Sequence, residues 1–120
     1  MSETVNVHVG SVDEMGRRFV DAWHRLERGE AVSETHLTFF SLEAMMATLS
    51  PKRLELLRCV HRQSVRTVSE LARALGRDYK RVHDDVAALA NAGLIVRDEG
   101  GISAPYDSVQ ATVSLEDLSR

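Results

Sequence analysis

Between residues 50 and 93 the chain carries helix start and stop signals at a spacing that few folds can satisfy. Ser50-Pro51 opens a helix: the serine side chain caps unpaired amides, and proline at the first helical position lacks only an N–H that would have no partner. Thr67-Val-Ser-Glu70 has the form of a capping box. Gly76 stops that helix, Asp78 caps the next and Gly93 ends it. The spacing predicts helices to about Gln63, from Val68 to Leu75, and from Tyr79 to about Asn91. Apolar residues recur at intervals of three and four along each of them. The predicted inward faces are Leu54, Leu57 and Val60 with Leu56 beside them, then Val68, Leu71, Ala72 and Leu75, then Tyr79, Val82, Val86 and Leu89. After Gly93, Leu94-Ile-Val-Arg-Asp98 reads as a strand, Glu99-Gly100-Gly101 as a tight turn, and Ile102-Ser-Ala104 as the return strand, closed by Pro105.

Two short helices around a glycine turn, preceded by a third helix and followed by a hairpin, have the layout of a winged helix-turn-helix over residues 51–105. Residues 1–50 form a separate arm of strand, helix, strand and helix. Thr4–Val9 alternates, with Val5, Val7 and Val9 on one side. Gly10 ends that strand, and Ser11-Val-Asp-Glu14 is a further capping-box match. Val12, Met15, Phe19, Trp23 and Leu26 make one apolar stripe on the helix that follows, with Gly29 as its stop and residues 30–33 as a connector. Glu34–Phe40 is a second strand, and Ser41 caps a short helix with Leu42, Met45, Met46 and Leu49 on its apolar face. Residues 106–120 hold a last strand, through Val109, Ala111, Val113 and Leu115, and a fraying tail. The expected class is therefore α+β, a winged unit carrying an arm for dimerisation or partner binding.

Charge separates the same segments. The 120 residues sum to a net charge of −3. Residues 1–50 hold Arg17, Arg18, Arg25 and Arg28 against eight acidic residues. Residues 51–81 hold Lys52, Arg53, Arg58, Arg62, Arg66, Arg73, Arg77, Lys80 and Arg81 against Glu55, Glu70 and Asp78, a local charge of +6. A basic segment inside an acidic chain points to a polyanion. In a helix-turn-helix the second helix enters the major groove with its N-terminal residues first. The candidate DNA contacts are thus Arg77, Tyr79, Lys80, Arg81 and His83 on that helix. Arg66 and Thr67 at the start of the preceding helix, Lys52 and Arg53 before it, and Arg97 in the wing join them. Arginine and lysine can pair with guanine O6 and N7 or with phosphates, and a helix N-terminus suits a phosphate. The arm's stripe, Val12, Met15, Phe19, Trp23 and Leu26, needs a cover, which two arms meeting across a twofold axis would supply.

Enzymatic chemistry finds little support. Cys59, the only cysteine, and His61 are two apart on a helix and do not share a face, so neither a zinc site nor a Cys–His pair follows. There is no glycine-rich phosphate loop. No cofactor, metal or catalytic residue is expected. No apolar run approaches a membrane span, Met1-Ser2-Glu3-Thr4 lacks the form of a signal peptide, and a lone cysteine suits a reducing compartment, so a cytoplasmic protein is expected.

Pro51-Lys-Arg-Leu-Glu-Leu-Leu57, Glu70-Leu-Ala-Arg-Ala-Leu-Gly-Arg-Asp-Tyr-Lys80, Val82-His-Asp-Asp-Val86 and Leu89-Ala-Asn-Ala-Gly-Leu94 resemble a family of small archaeal and bacterial MarR-like winged-helix regulators, some of them antitoxins of TumE/TumA-type pairs. Val7-His-Val-Gly10, Phe19-Val-Asp-Ala-Trp23 and Phe40-Ser-Leu-Glu43 fit the same layout. The resemblance implies double-stranded DNA binding, autoregulation and, in the antitoxin members, a toxin protein as partner. Two functions stay open at this point: a dimeric DNA-binding regulator, or a protein-interaction module whose winged helix does not bind DNA.

Overall fold

The computed structural model describes residues 3–10, 12–28, 35–113 and 115. The expected start at Ser11, the stop at Gly29, the connector 30–33 and the tail 116–120 lie outside the described residues. The protein is mixed α+β and divides into two compact units, Thr4–Met45 with the segment from Ser108, and Met46–Asp107 with Glu3.

The first unit is built on β1 (Thr4–Val9), α1 (Val12–Glu27), β2 (Thr35–Phe39) and β5 (Ser108–Thr112). Its three strands run in the order β2-β1-β5, and both pairings are parallel. Parallel neighbours cannot be joined by a tight turn, so α1 serves as the crossover between β1 and β2. Val7 lies opposite Leu37 and Ala111, and Val5 opposite Thr35 and Val109. Strand alternation puts Val5 and Val7 on one face, where both are fully buried. Asn6 and His8 alternate to the other face, where His8 Nε2 lies 2.9 Å from His36 Nδ1. The expected last strand takes its place beside the first but ends at Thr112; Val113 and Leu115, expected on it, lie beyond its end and are exposed. From this unit α2 (Leu42–Thr48) leads on, its first turn capped by Ser41 Oγ, which accepts from the Ala44 amide at 3.0 Å. Of its expected apolar face only Met45 is buried; Met46 and Leu42 are exposed. Met45 and Met46 stand about 100° apart on the helix, and a seven-residue helix turns one narrow stripe inward.

The second unit comprises α3 (Pro51–Arg62), α4 (Val68–Leu75), α5 (Tyr79–Asn91), β3 (Val96–Asp98) and β4 (Gly101–Ser103). The expected caps form. Ser50, Thr67 and Asp78 accept from the amides of Arg53, Glu70 and Arg81. The capping box at Thr67 closes in a shifted way: the Glu70 carboxylate accepts from the Arg66 amide, one residue before the cap. Gly76 ends α4 in the left-handed conformation at φ +64°, where a side chain would be strained. Leu56, Leu57 and Val60 from α3, Val68, Leu71 and Ala72 from α4, and Val82, Val86 and Leu89 from α5 are buried with Leu94, Ile95, Ile102 and Ala104.

Several details differ from the sequence reading. The first wing strand begins at Val96 rather than Leu94, since Leu94 and Ile95 are buried in the core before it, and the return strand is Gly101–Ser103 rather than 102–104. Leu54 and Leu75 are only half-buried. Tyr79 is 52% exposed and does not belong to the core face. It is the first helical residue, and the buried face of α5 begins one turn later at Val82. The hairpin loop is shorter than expected, because Asp98 pairs with Gly101 and leaves Glu99-Gly100 as the connection. Val65 adds a single isolated rung to β4: Ile102 donates to Val65 O at 2.7 Å and Val65 donates to Ile102 O at 3.2 Å.

Candidate nucleic-acid interface

The N-terminal end of α5 is held by three devices. Asp78 caps its first turn through the Arg81 amide at 3.2 Å. Val82 and Val86, both fully buried, fix which side faces inward. A carboxylate clamp sets the position of the turn before it. Asp85 Oδ1 accepts from Arg53 Nε at 3.0 Å, and Asp85 Oδ2 accepts from Arg77 Nη2 at 2.8 Å. Arg53 also donates through Nη1 to Ala47 O at 3.0 Å. The three side chains are only 22%, 15% and 14% exposed for Arg53, Arg77 and Asp85. One carboxylate thereby ties α3 and the α4–α5 turn to the middle of α5.

This arrangement sorts the expected contacts. Lys80, Arg81 and His83 are exposed on α5, as is Tyr79, whose ring stands 6.0 Å from that of His83. Lys52 is exposed at the start of α3 and joins Arg77, Asp78 and Arg81 around an open depression of about 540 Å³. A neighbouring depression of about 470 Å³ is lined by Ser69, Ala72, Arg73, Gly76, Arg77 and Tyr79. Arg53 and Arg77 are placed differently from the rest, with their guanidinium groups bound to Asp85 rather than turned to solvent. Arg77 Nη1 is buried without a hydrogen-bond partner among the described residues. At the start of α4, Arg66 and Thr67 are exposed, but Thr67 Oγ1 and the Arg66 amide are engaged by Glu70. A carboxylate at that helix end competes with a phosphate for the same amides. Arg97 is exposed on β3.

In the other unit, Phe19 and Trp23 are 69% and 54% exposed, and with Val20 they line an apolar depression of about 280 Å³. The side chains of Val12, Met15 and Leu26, the rest of the stripe, lie outside the described residues.

Sequence reasoning missed Asp85 and Arg73. Asp85 carried a usable signal: it follows Val82 by three residues and precedes Val86 by one, so it borders the buried face of α5. A carboxylate at such a border needs a cationic partner.

The sequence profile of the HVO_A0114 family matches residues 48–111. That is just over half of the 120 residues. The chain belongs to the HVO_A0114 family. No curated protein and no solved structure gives a significant match. The HVO_A0114 match runs from the end of α2 through α5 and the hairpin into β5, so it contains the Asp85 clamp and every exposed cation around it. Among the described residues no group of three or more His, Cys, Asp or Glu could hold a metal ion, and no helix is long and apolar enough to cross a membrane.

Proposed function

We propose that residues 51–105 are a winged helix-turn-helix that binds double-stranded DNA, and that this member of the HVO_A0114 family is a transcriptional regulator. The observation that carries the reading is the exposed pair Lys80 and Arg81 on the first turn of a helix whose other face is anchored by Val82 and Val86. A helix so presented can enter the major groove N-terminus first. Lys80 and His83 are the base-reading candidates. Arg81 and Lys52, around one depression, are phosphate contacts. Tyr79 packs against sugar and backbone, and Arg97 reaches backbone from the wing. Arg66 and Thr67 add a weaker clamp, since Glu70 already occupies the amide of Arg66.

Exposed Phe19, Val20 and Trp23 on α1 favour a protein contact for the other unit. In the regulator reading that contact is a second copy, which would present two recognition helices about 34 Å apart. An antitoxin would in addition meet a toxin protein. The experiment is a binding titration on the DNA upstream of the gene at several salt concentrations. Lys80→Ala and Arg81→Ala should each weaken binding. Loss of a phosphate contact flattens the salt slope by about 0.9, whereas loss of a base contact relaxes sequence preference at about 1–3 kcal/mol. Unchanged affinity in the double variant rules out α5 as the recognition helix.

A further inference from the structure

We infer that Asp85 withholds two arginines from nucleic acid and thereby limits sequence-independent binding at this surface. The inference rests on the DNA-binding reading and deepens it. Arg53 and Arg77 belong to the basic segment, and Arg77 lines both depressions beside the start of α5. Counted from the sequence, they add two cations to the surface. In the structure both are tied to one carboxylate at 3.0 and 2.8 Å, and all three side chains are more than three-quarters buried. Charge-assisted bonds of this length hold both guanidinium groups on Asp85, and a phosphate would have to displace a carboxylate already in place to engage either one. Around the depression at the start of α5 the cations left exposed are then Lys52, Lys80 and Arg81.

The arrangement has a consequence for sequence-independent affinity. Affinity for any duplex grows with the number of phosphates neutralised, and that term carries no sequence information. A chain that offered five mobile cations here would bind all DNA more tightly without reading bases better. Asp85 neutralises part of that surplus and spends the two guanidinium groups on fixing α3 and the turn to α5. It is therefore a positioning residue, and its effect reads out in the salt dependence of binding.

The test uses the full chain and a 20-base-pair duplex of random sequence, titrated between low and high salt. Asp85→Asn keeps the shape of the side chain and removes its charge. The released arginines should steepen the slope of log K against log salt by about 0.9 for one new phosphate contact and about 1.8 for two. At 0.15 M salt, relative to 1 M, that tightens random-duplex binding about 5-fold or 30-fold. Binding to the specific site should tighten by the same factor, because phosphate contacts carry no sequence information, and the ratio of the two affinities should stay unchanged. Glu55→Gln, an exposed residue of α3, makes the same change in net charge and releases no arginine, so its slope should stay within about half a unit of the parent's.

A folded Asp85→Asn chain with an unchanged or flatter slope overturns the inference. Should Asp85→Asn not fold, Arg77→Met decides, since Asp85 keeps Arg53. The parent slope is expected there, and a loss of about 0.9 would place Arg77 on a phosphate and overturn the inference. Failure of the DNA-binding reading looks different. If neither the parent nor Asp85→Asn binds any duplex, both proposals fall. If the parent binds and only the Asp85→Asn slope fails to change, the clamp alone falls.

Discussion

Replacing Gly101 by alanine should detach the hairpin from the helices, and the size of the effect follows from two features. Gly101 sits at φ +124°, a conformation that L side chains rarely adopt. A Cβ there would press into the carbonyl oxygen of Val65 and lie 3.0 Å from Arg66 Cα. Both obstacles are backbone atoms, so no side chain can swing aside. Backbone held in such a region costs of order 1–3 kcal/mol. Relief requires Val65 to withdraw, which breaks its paired hydrogen bonds with Ile102 at 2.7 and 3.2 Å. Two such bonds contribute about 0.5–1.5 kcal/mol each. The expected loss is therefore about 2–6 kcal/mol. For a domain of 60–100 residues each kcal/mol lowers Tm by roughly 4–8 °C, so the fall should be at least about 8 °C. Gly76→Ala supplies the comparison, because φ is +64° there but nothing lies within 4 Å of the added carbon. Its expected cost is only about 1–2 kcal/mol. Thermal unfolding followed by circular dichroism ranks the two, and hydrogen exchange at the Val65 and Ile102 amides shows whether the rung has opened. Equal melting points for the two variants, or an intact Ile102 amide in Gly101→Ala, would refute the steric argument.

Leu71→Ala and Val86→Ala each remove a side chain with no exposed surface and should cost on the order of 1–5 kcal/mol in chemical denaturation. Thr67→Ala removes the acceptor for the Glu70 amide, and the melting curve should show a loss of about 1 kcal/mol. Phe19→Glu combined with Trp23→Glu should leave the far-ultraviolet circular dichroism of the folded chain unchanged, since both side chains are more than half exposed, and should lower the melting temperature only by the stabilisation that association adds. Sedimentation should find the parent a dimer and that variant a monomer; a parent that sediments as a monomer at tens of micromolar removes α1 as a self-association surface.

The helices of the second unit were legible because their signals are local. Ser50, Thr67 and Asp78 each act on an amide three residues away, and Gly76 acts on its own backbone. What was not legible depends on distance along the chain. Asp85 meets partners 8 and 32 residues away, so periodicity could mark it as bordering a buried face but could not name Arg77 and Arg53. The strand character of Ser108–Thr112 was plain from alternation, whereas its parallel partner begins 104 residues earlier. Tyr79 was misplaced by extending the spacing of Val82, Val86 and Leu89 one step too far toward the helix start. The candidate contacts came from charge and from position along the helix-turn-helix, and neither distinguishes an exposed Lys80 from an Arg77 already bound to a carboxylate.

The parallel pairing of β1 with both β2 and β5 has a kinetic corollary. During synthesis β1 emerges first and gains one neighbour once Phe39 has followed it, yet its other edge waits until Thr112 is made. All of α3 to β4 lies in that interval, and its helices need only nearby partners. Closing a loop of that length carries an entropic cost that local contacts do not, and strand pairing across it is slow. Refolding should therefore show a fast phase from the helices and a slower one from the sheet. In the interval β1 presents an unpaired row of amides and carbonyls, the kind of edge to which another strand can add. A nascent or truncated chain ending before Ser108 is thus the species most exposed to aggregation.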